Sequence, residues 1–480
     1  MVTRGETAFE KVVLFERNSA LGGVWCGEAR GANNNDQQIP ESRDFEDWNK
    51  PEKLFVKASI SSELEKKLSG SSYEDPVIVK KPKSGPEDKF QWRSSAAYKG
   101  LFTNVPNKYM TFSFQELNQS KLDHLKNKYR WIPDFQSAEE VTEYLRQVVE
   151  DNDLAKYART NSNVERVRKL NSGKWELIVR STREEEDGTV VDTWYRQEAD
   201  ALVIANGKSV PIIPHFKNLL EFAHVNKGKV IITLAKSLKD PSFLKKSKKI
   251  LIVGSSVSCV DIIQYAFPRD LSKRPIIISR RAENCGLEWI DYCAYSKGIV
   301  NKPEIEEFLP ESRGVRFKDG SEETGFDAVI ITTGYHSFYP FFEDSYASKH
   351  PDLFYFYRYT FSIDDSSLAL VGNTYALFFF SRVEVQGAAL AGVWSGDKSL
   401  PPIDDQKTWY QNEFDLPMLP FIIKKRFIDP LALLALDNRP HPFESESKVD
   451  FVKDTCSGWR ELQTLFYKIK DEAVNVSDVI

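Results

Sequence analysis

Cysteine, methionine and histidine are scarce in this 480-residue chain, at five, three and six copies. The cysteines (Cys26, Cys259, Cys285, Cys293 and Cys456) form no C-x-x-C pair and are odd in number, which argues against both a zinc site and a disulfide scaffold and favours a reducing compartment. No histidine falls in an H-x-x-x-H or H-x-x-E-H pattern, so no metal is assigned. Long apolar runs are missing too: none approaches the roughly 18 residues of a membrane span, and the amino terminus lacks the basic-then-apolar order of a signal peptide. The expected location is cytoplasmic. Nor does one charge dominate. A formal net charge of -5 disfavours nucleic acid or an anionic membrane as the main partner. What remains, 41% hydrophobic and 28% charged residues, is an ordinary globular composition with length enough for two sizeable cores.

Against that background one stretch stands out. From Lys248 the apolar run Ile250 to Val253 ends at Gly254, and a helix-like pattern follows through Ser256, Ser258, Cys259 and Asp261. A strand, a tight turn and a helix start leave backbone N–H groups pointing outward, where a pyrophosphate finds donors and a favourable dipole. The match to Gly-x-Gly-x-x-Gly is partial, since Ser256 and Cys259 stand where the second and third glycines would be. The alternative is an ordinary buried strand with its crossover helix. A second β-rich run, Pro275 to Ser279, follows about 20 residues on, where such folds read the adenosine ribose. It ends in Arg280 and Arg281, cations that favour the 2'-phosphate of NADPH over the bare hydroxyl of NAD; two solvated arginines at a strand end are the alternative.

Near the start, Lys11 to Glu16 reads as a strand ending in an acid, followed by Leu21-Gly22-Gly23-Val24-Trp25. Glu16 is placed like a ribose-binding acid at the end of a second strand, yet a first strand and glycine-rich turn should precede it by roughly 20 residues. The polar segment Met1 to Glu10 supplies neither.

Residues 27 to 95 read as a long surface insertion with short elements, including an Asn/Gln-rich patch at 33 to 38. From Ser137, apolar residues at three-and-four spacing predict an amphipathic helix with a Ser137/Glu140 capping box. Asn163 to Ala205 alternates as an antiparallel ribbon around Gly173 and the turn Glu184 to Gly188. The aromatic run Tyr375 to Phe380 reads as core or as pocket.

Taken together, these residues make the chain resemble the flavin-containing monooxygenases, most closely their fungal branch. Glu16 with Gly22, Gly23 and Trp25 looks like the family's second FAD strand and glycine-glycine-x-tryptophan turn. Leu101 to Met110 is similar to the segment whose asparagine, here Asn104, faces the flavin. Ala201 to Gly207 and Ile330 to Tyr335, with Gly207 and Gly334, resemble the two strands that join the nucleotide domains. Gly254, Ser258 and Asp261 match the NADPH turn, and Arg280 or Arg281 its 2'-phosphate arginine. Leu368 to Gly372, then Gln386 and the small-residue helix to Trp394, look like the last FAD-side strand and helix. Asn206 replaces a usual threonine before Gly207, and Ile231 to Leu234 replaces a usual His-Ser pair.

The resemblance implies an α/β fold of two Rossmann-like domains, the NADPH domain (215–334) inserted between two parts of the FAD domain (1–214 and 335–480), the latter lacking its first strand. It implies FAD and NADPH as cofactors and dioxygen as co-substrate. A C4a-hydroperoxyflavin would oxygenate a soft nucleophile, a small thiol first and an amine second, with Asn104 near the flavin and nicotinamide. The competing expectation is a catalytically inactive, FAD-free remnant that still binds NADP(H); a start lying further upstream would instead restore the ordinary enzyme. A flavin-free NADP-dependent reductase is also conceivable, but the chain shows no tyrosine-lysine pair at its usual spacing. Oligomeric state is not legible.

Overall fold

The structure is a computed structural model that describes residues 8–26, 49–55, 57–82, 92, 95–97, 101–118, 120, 135–238, 240–343, 355–372, 378–413, 424–439, 441–443 and 450–472. The patch at 33 to 38, residues 375–377 of the aromatic run and the last eight residues lie outside this set.

The five apolar runs between 231 and 331 assemble into one five-stranded sheet in the order Ile299–Lys302, Ile276–Ser279, Ile250–Val253, Ala328–Ile331, Ile231–Leu234, with every pairing parallel. The three central strands are buried at every residue, the pattern of a parallel sheet covered on both faces. Alternate residues serve the two faces. Ile250, Ile252, Ile276 and Ile278 pack with the helices Val257–Tyr265 and Glu288–Ala294. Leu251, Val253, Ile277 and Val329 instead meet Phe222 of the helix Leu219–Val225, together with Phe308, Val315 and Phe317 of an antiparallel three-stranded flap.

The remaining strands form three further sheets. Leu14–Phe15 runs parallel to Ala158–Arg159, and Leu202–Ile204 runs parallel to Leu368–Leu370, which Phe361–Ser362 and Phe356–Tyr357 extend antiparallel. The helix Phe379–Trp394 follows the last parallel strand. The ribbon expected over 163 to 205 is present as Ser162–Lys169, Trp175–Glu184 and Thr189–Ala199. Its fourth strand, Val77–Pro82, comes from the segment read as a surface insertion. The helix Ser62–Leu68 of that segment seats Leu64 and Leu68 on Ile178 and Trp194, and Arg166 grips both oxygens of Glu65 at 2.7 Å. This half of the insertion is therefore part of the sheet's packing, a role its polar composition concealed.

The capping box forms as expected. Ser137 Oγ accepts from the Glu140 N–H at 3.2 Å, and Glu140 Oε2 accepts from the Ser137 N–H at 2.7 Å, opening the helix Ala138–Asp151.

An element the sequence reading did not foresee is the amphipathic helix Phe451–Asp471. Leu462, Phe466 and Ile469 enter the core of the five-stranded domain, and Tyr467 donates to the Tyr292 carbonyl at 3.2 Å. Its other end reaches the segment 101–110: Asp454 accepts from Tyr109 Oη at 2.8 Å and pairs with Lys108 at 2.5 Å, while Gly458 abuts Pro106 and Phe135. One helix thus ties the two regions together. Among the described residues no helix is long and apolar enough to cross a membrane.

Two substitutions test this packing. A Cβ on Gly392, in the helix Phe379–Trp394, would lie 2.1 Å from the Leu434 carbonyl oxygen. Gly392→Ala should therefore cost about 3 kcal/mol despite its better helix propensity, whereas Ser137→Ala should cost about 1 kcal/mol through the lost cap. Urea midpoints check both; a neutral Gly392→Ala would show that the contact yields.

Candidate cofactor and active site

Gly254 ends the strand Ile250–Val253 with φ +107°, and a Cβ there would meet Thr332 Oγ1 at 2.8 Å and the Thr332 carbonyl at 2.9 Å. Thr332 is held against the strand end by donating its N–H and its hydroxyl to the Val253 carbonyl at 2.8 and 2.9 Å. Only glycine fits this turn, both for its dihedral and for the space. The chain then enters the helix Val257–Tyr265 through an extended, exposed Ser256 whose side chain makes no cap hydrogen bond. The first-turn N–H groups are therefore not capped by that hydroxyl, as an anion cradle requires. Ser258 and Asp261 lie half-buried on this helix. Cys259, which replaces a fingerprint glycine, is fully buried in the core beneath the turn, and burial pushes its thiol up, so it behaves as a packing residue.

The two arginines separate cleanly. Arg280 is buried: its guanidinium donates to Asp291 Oδ1 at 2.5 Å, to the Ala282 carbonyl at 2.9 Å and to Asn301 Oδ1 at 3.3 Å, and lies 4.5 Å over the Tyr295 ring. Asp291 also accepts from the Cys285 N–H at 3.0 Å, so this pair shapes the loop after the strand. Arg281 is exposed, and its side chain makes no ion pair or hydrogen bond among the described residues.

On the other side, Glu16 follows the strand Leu14–Phe15. Its backbone is held by Arg159 and Ser162, and its carboxylate accepts from the Asn18 N–H at 2.8 Å. Burial nevertheless holds this carboxyl above its ordinary range, with the Asn18 bond offsetting only part of the effect. A desolvated carboxylate with acceptor capacity to spare fits a ribose hydroxyl. Gly22 and Gly23, both at positive φ, open the turn into Gly23–Trp25, and Thr142 Oγ1 donates to the Trp25 carbonyl. The Trp25 ring packs with Val105, Val141, Tyr144 and Phe380. This cluster joins the amino-terminal turn, the Asn104 turn and the start of the helix Phe379–Trp394.

Asn104 lies half-buried in a turn fixed by its neighbour. Thr103 Oγ1 donates to the Val105 carbonyl at 3.0 Å and accepts from the Gln136 N–H at 3.1 Å, while the Thr103 N–H donates to the Gln136 carbonyl at 2.8 Å. The amide of Asn104 has no partner among the described residues. Just before it, Leu101 and Phe102 pack with Phe135 against Val257 and the core of the five-stranded domain. The Asn104 turn therefore stands between the core of the five-stranded domain and the Trp25 cluster.

Gln386 is fully buried and fully used. Its Nε2 reaches the carbonyls of Tyr359 and Leu370 and the Thr360 hydroxyl at 3.1 to 3.2 Å, and its Oε1 accepts from the Gly372 N–H at 3.1 Å. It fixes the end of the last parallel strand. Gly207 and Gly334, at positive φ, lie on the two linkers. These are bonded to each other, Ile212 N–H to Gly334 O and His336 N–H to Val210 O, both at 2.9 Å. Among the described residues no cluster of His, Cys, Asp or Glu is placed to hold a metal.

Two α/β regions with parallel strands, joined by a paired linker, define a two-domain fold of the Rossmann-like kind. Residues 86–282 and 293–411 match the family model described as flavin-binding monooxygenase-like, and the chain belongs to that family. A trimethylamine monooxygenase from Methylocella silvestris is 25% identical over 315 residues, 65% of this chain and 63% of that protein. The match spans about half to two thirds of the length of such curated relatives. Among solved structures, Tmm from Pelagibacter sp. strain HTCC7211 superposes with a TM-score of 0.64 at 18% identity, covering 96% of this chain and 85% of that one. The S-allyl-L-cysteine S-oxygenase from Allium sativum gives 0.52 at 19%, covering 97% and 89%.

Two stability measurements separate anchors from binding groups. Breaking the buried pair with Arg280→Ala should cost about 3 kcal/mol, while Arg281→Ala should stay within about 0.5 kcal/mol. The raised Glu16 carboxyl means that the folded chain holds that proton more readily than the unfolded chain. Stability of the cofactor-free protein is thus lost as pH rises through the raised value, above the ordinary glutamate range near ~4.3. Glu16→Gln should remove this loss, making the variant more stable than wild type near neutral pH and equal to it in acid. Urea titrations at both ends check the sign.

Proposed function

We propose that the chain is an NADPH- and oxygen-dependent flavin monooxygenase acting on a soft nucleophile, sulfur first and amine nitrogen second. The observation that carries the reading is the seam: a single segment, 101–110, packs on the NADPH-type core through Leu101 and Phe102 and shares the Trp25 cluster through Val105. Nucleotides seated at the two turns would meet beside Asn104. The sulfur and nitrogen preference draws support from the names of the two kinds of relative, an S-oxygenase and a trimethylamine monooxygenase.

The residues present fit NADPH and the ribose end of FAD, whose pyrophosphate turn the polar segment Met1 to Glu10 does not supply. Glu16 would hold the FAD ribose and the Gly22–Trp25 turn would lie against its body. The Gly254 turn with Ser256 and Ser258 would cradle the NADPH pyrophosphate, and Arg281 would pair with the 2'-phosphate because Arg280 is committed to Asp291. FAD, when bound, supplies the oxygen chemistry: two electrons from NADPH reduce it, and one atom of dioxygen goes to the substrate while the other leaves as water. The protein binds, orients and excludes water. Asn104 would offer its amide to the reacting ring system, held at the right height by Thr103. Gln386 and Thr332 position backbone and touch no substrate.

The spectrum of the purified protein with FAD tests this. Visible flavin bands, bleached by NADPH without oxygen and followed by oxygenated product when air returns, are expected. A colourless protein that binds NADPH favours the FAD-free alternative. Asn104→Ala should abolish product while leaving anaerobic flavin reduction intact, with hydrogen peroxide released instead; unchanged product yield would sink its role. Arg281→Ala should weaken NADPH about tenfold while leaving NADH unaffected, as a titration with both nucleotides would show.

A further inference from the structure

Lysine gathers at one edge of the five-stranded sheet. The strands are parallel and level, with Ile299, Ile276, Ile250, Ala328 and Ile231 in register at their amino ends. At the usual strand spacing those ends form a row about 20 Å long. Lys297 precedes the first strand of the row, Lys273 and Arg274 the second, Lys248 and Lys249 the third, and Lys227 and Lys229 the fifth, while Lys245 and Lys246 stand in the loop before the third. The Gly254 turn lies at the opposite, carboxyl end of the sheet.

Much of this charge is unspent. Lys229, Lys246, Lys248 and Lys297 are exposed, and their side chains make no ion pair or hydrogen bond among the described residues. The Lys273 side chain is 82% exposed and lies a loose 3.6 Å from Asp270. Two arginines add charge without neutralising partners: Arg269 donates to the carbonyls of Leu244, Ser247, Lys248 and Arg274, and Arg274 to those of Lys245 and Pro268. The carboxylates on this edge are largely committed. Asp327 accepts from the N–H groups of Lys248 and Lys249, Asp240 and Asp270 accept from those of Ser242 and Ser272, and Glu323 pairs with Lys249. Helix ends account for part of the excess, since Lys227, Arg269 and Lys297 follow the helices Leu219–Val225, Val257–Tyr265 and Glu288–Ala294 and answer their dipoles. Lys229 and Lys248 stand directly before strands and answer none.

We propose that this lysine edge docks the chain on an anionic lipid surface. The arginines, whose planar forks would select a particular carboxylate or phosphate, are turned into the protein, and what faces outward is flexible lysine, which reads a field rather than a shape. A level row of ammonium groups suits a plane of anionic headgroups, where each lysine near the surface contributes about fivefold in affinity. Val225 and Ile231, each 38% exposed beside Lys227 and Lys229, supply apolar contacts for the headgroup boundary. The chain's net charge of -5 conceals this edge and also gives it direction. The rest of the surface carries the opposite sign, so the field turns the lysine edge toward the bilayer and leaves the nucleotide turn facing away from it.

Co-sedimentation of the full chain with vesicles tests this, using phosphatidylcholine alone and phosphatidylcholine with roughly 30% phosphatidylserine. The chain should bind the anionic vesicles about tenfold or more better than the neutral ones, and lose that preference at about 0.5 M salt. Reversing three free lysines together, Lys229→Glu, Lys246→Glu and Lys248→Glu, should weaken anionic-vesicle binding about a hundredfold. The same change in net charge made at exposed lysines elsewhere, Lys66→Glu, Lys80→Glu and Lys407→Glu, should leave most of the binding in place. If the reversed chain melts lower than wild type, glutamine at the same three positions carries the comparison. Equal binding to both kinds of vesicle overturns the proposal, as does binding that survives high salt. An equal loss in the two triple variants overturns it too, because net charge and not this edge would then be responsible. Indifference to vesicles together with binding of poly-glutamate or duplex DNA through the same lysines also overturns it, and gives the edge an acidic protein or a nucleic acid as its partner.

Discussion

The short ladder between Thr103 and Gln136 is the constraint on which the arrangement depends. Two hydrogen bonds, 2.8 and 3.1 Å, fasten the loop 101–110 to the approach of the helix Ala138–Asp151. Because that helix is itself fixed by a complete capping box, the loop inherits its rigidity. Everything that must meet at the centre is hung from this loop: the NADPH-type core on Leu101 and Phe102, the amino-terminal turn on Val105, and the long carboxy-terminal helix on Pro106, Lys108 and Tyr109. A loop gripped from three sides can present a half-buried Asn104 without that residue helping to hold the loop in place. Its amide is left available, which is what a cofactor-facing residue needs.

The polar groups around the two nucleotide turns divide into those already paired inside the protein and those that are not. Arg280, Asp291 and Gln386 spend their hydrogen bonds on backbone and neighbours, and they fix loops and strand ends. Among the described residues, Arg281, Asn104 and Gln136 spend none of theirs through their side chains. The division follows a physical rule, since buried ions and amides are tolerated when compensated and are costly otherwise. It also explains why adjacent arginines, indistinguishable by type, have different fates. Their side chains leave a strand end in opposite directions, one toward Asp291 and the Tyr295 ring and one toward solvent.

Much of this was legible in the sequence where local chemistry decides. The continuous apolar runs at 250–253, 276–279 and 328–331 announce a doubly covered parallel sheet, and Gly254 announces the turn. Ser137 with Glu140 announces a helix start, and the alternation after Asn163 announces the ribbon. What was not legible depends on partners distant in the chain. Val77–Pro82, with only three apolar residues before Lys80 and Lys81, reads as part of an insertion until Thr189–Ala199 pairs with it. The helix Phe451–Asp471 has a clear three-and-four spacing at Leu462, Phe466 and Ile469, a signal present but overlooked because no motif drew attention to it. Gln386 was assigned to a cofactor because of where it falls in the family's order. Its four bonded neighbours, which tie Gly372 to the strand end, are distant in the chain and become visible only in the fold. Gln136 carries no sequence signature at all, since a glutamine before a helix cap is ordinary until its burial is known.

The side chains left without partners have a thermodynamic consequence beyond binding. Glu16 is held above its ordinary range by burial, and the Gln136 amide is desolvated without a bond. Each makes the cofactor-free fold less stable than a sequence optimised for folding alone would be. A ligand that answers the Glu16 carboxyl recovers its share of that free energy only in the folded state, and so adds to the stability that any native-state ligand confers by mass action. Such a chain should be stabilised by its nucleotides by more than their contacts with already satisfied groups would suggest. On the proposed reading the cofactor makes the reactive species, and what is asked of the protein is position and a few unspent hydrogen bonds. The unusual feature to look for in such a sequence is a polar residue that the fold does not need, more than any reactive side chain.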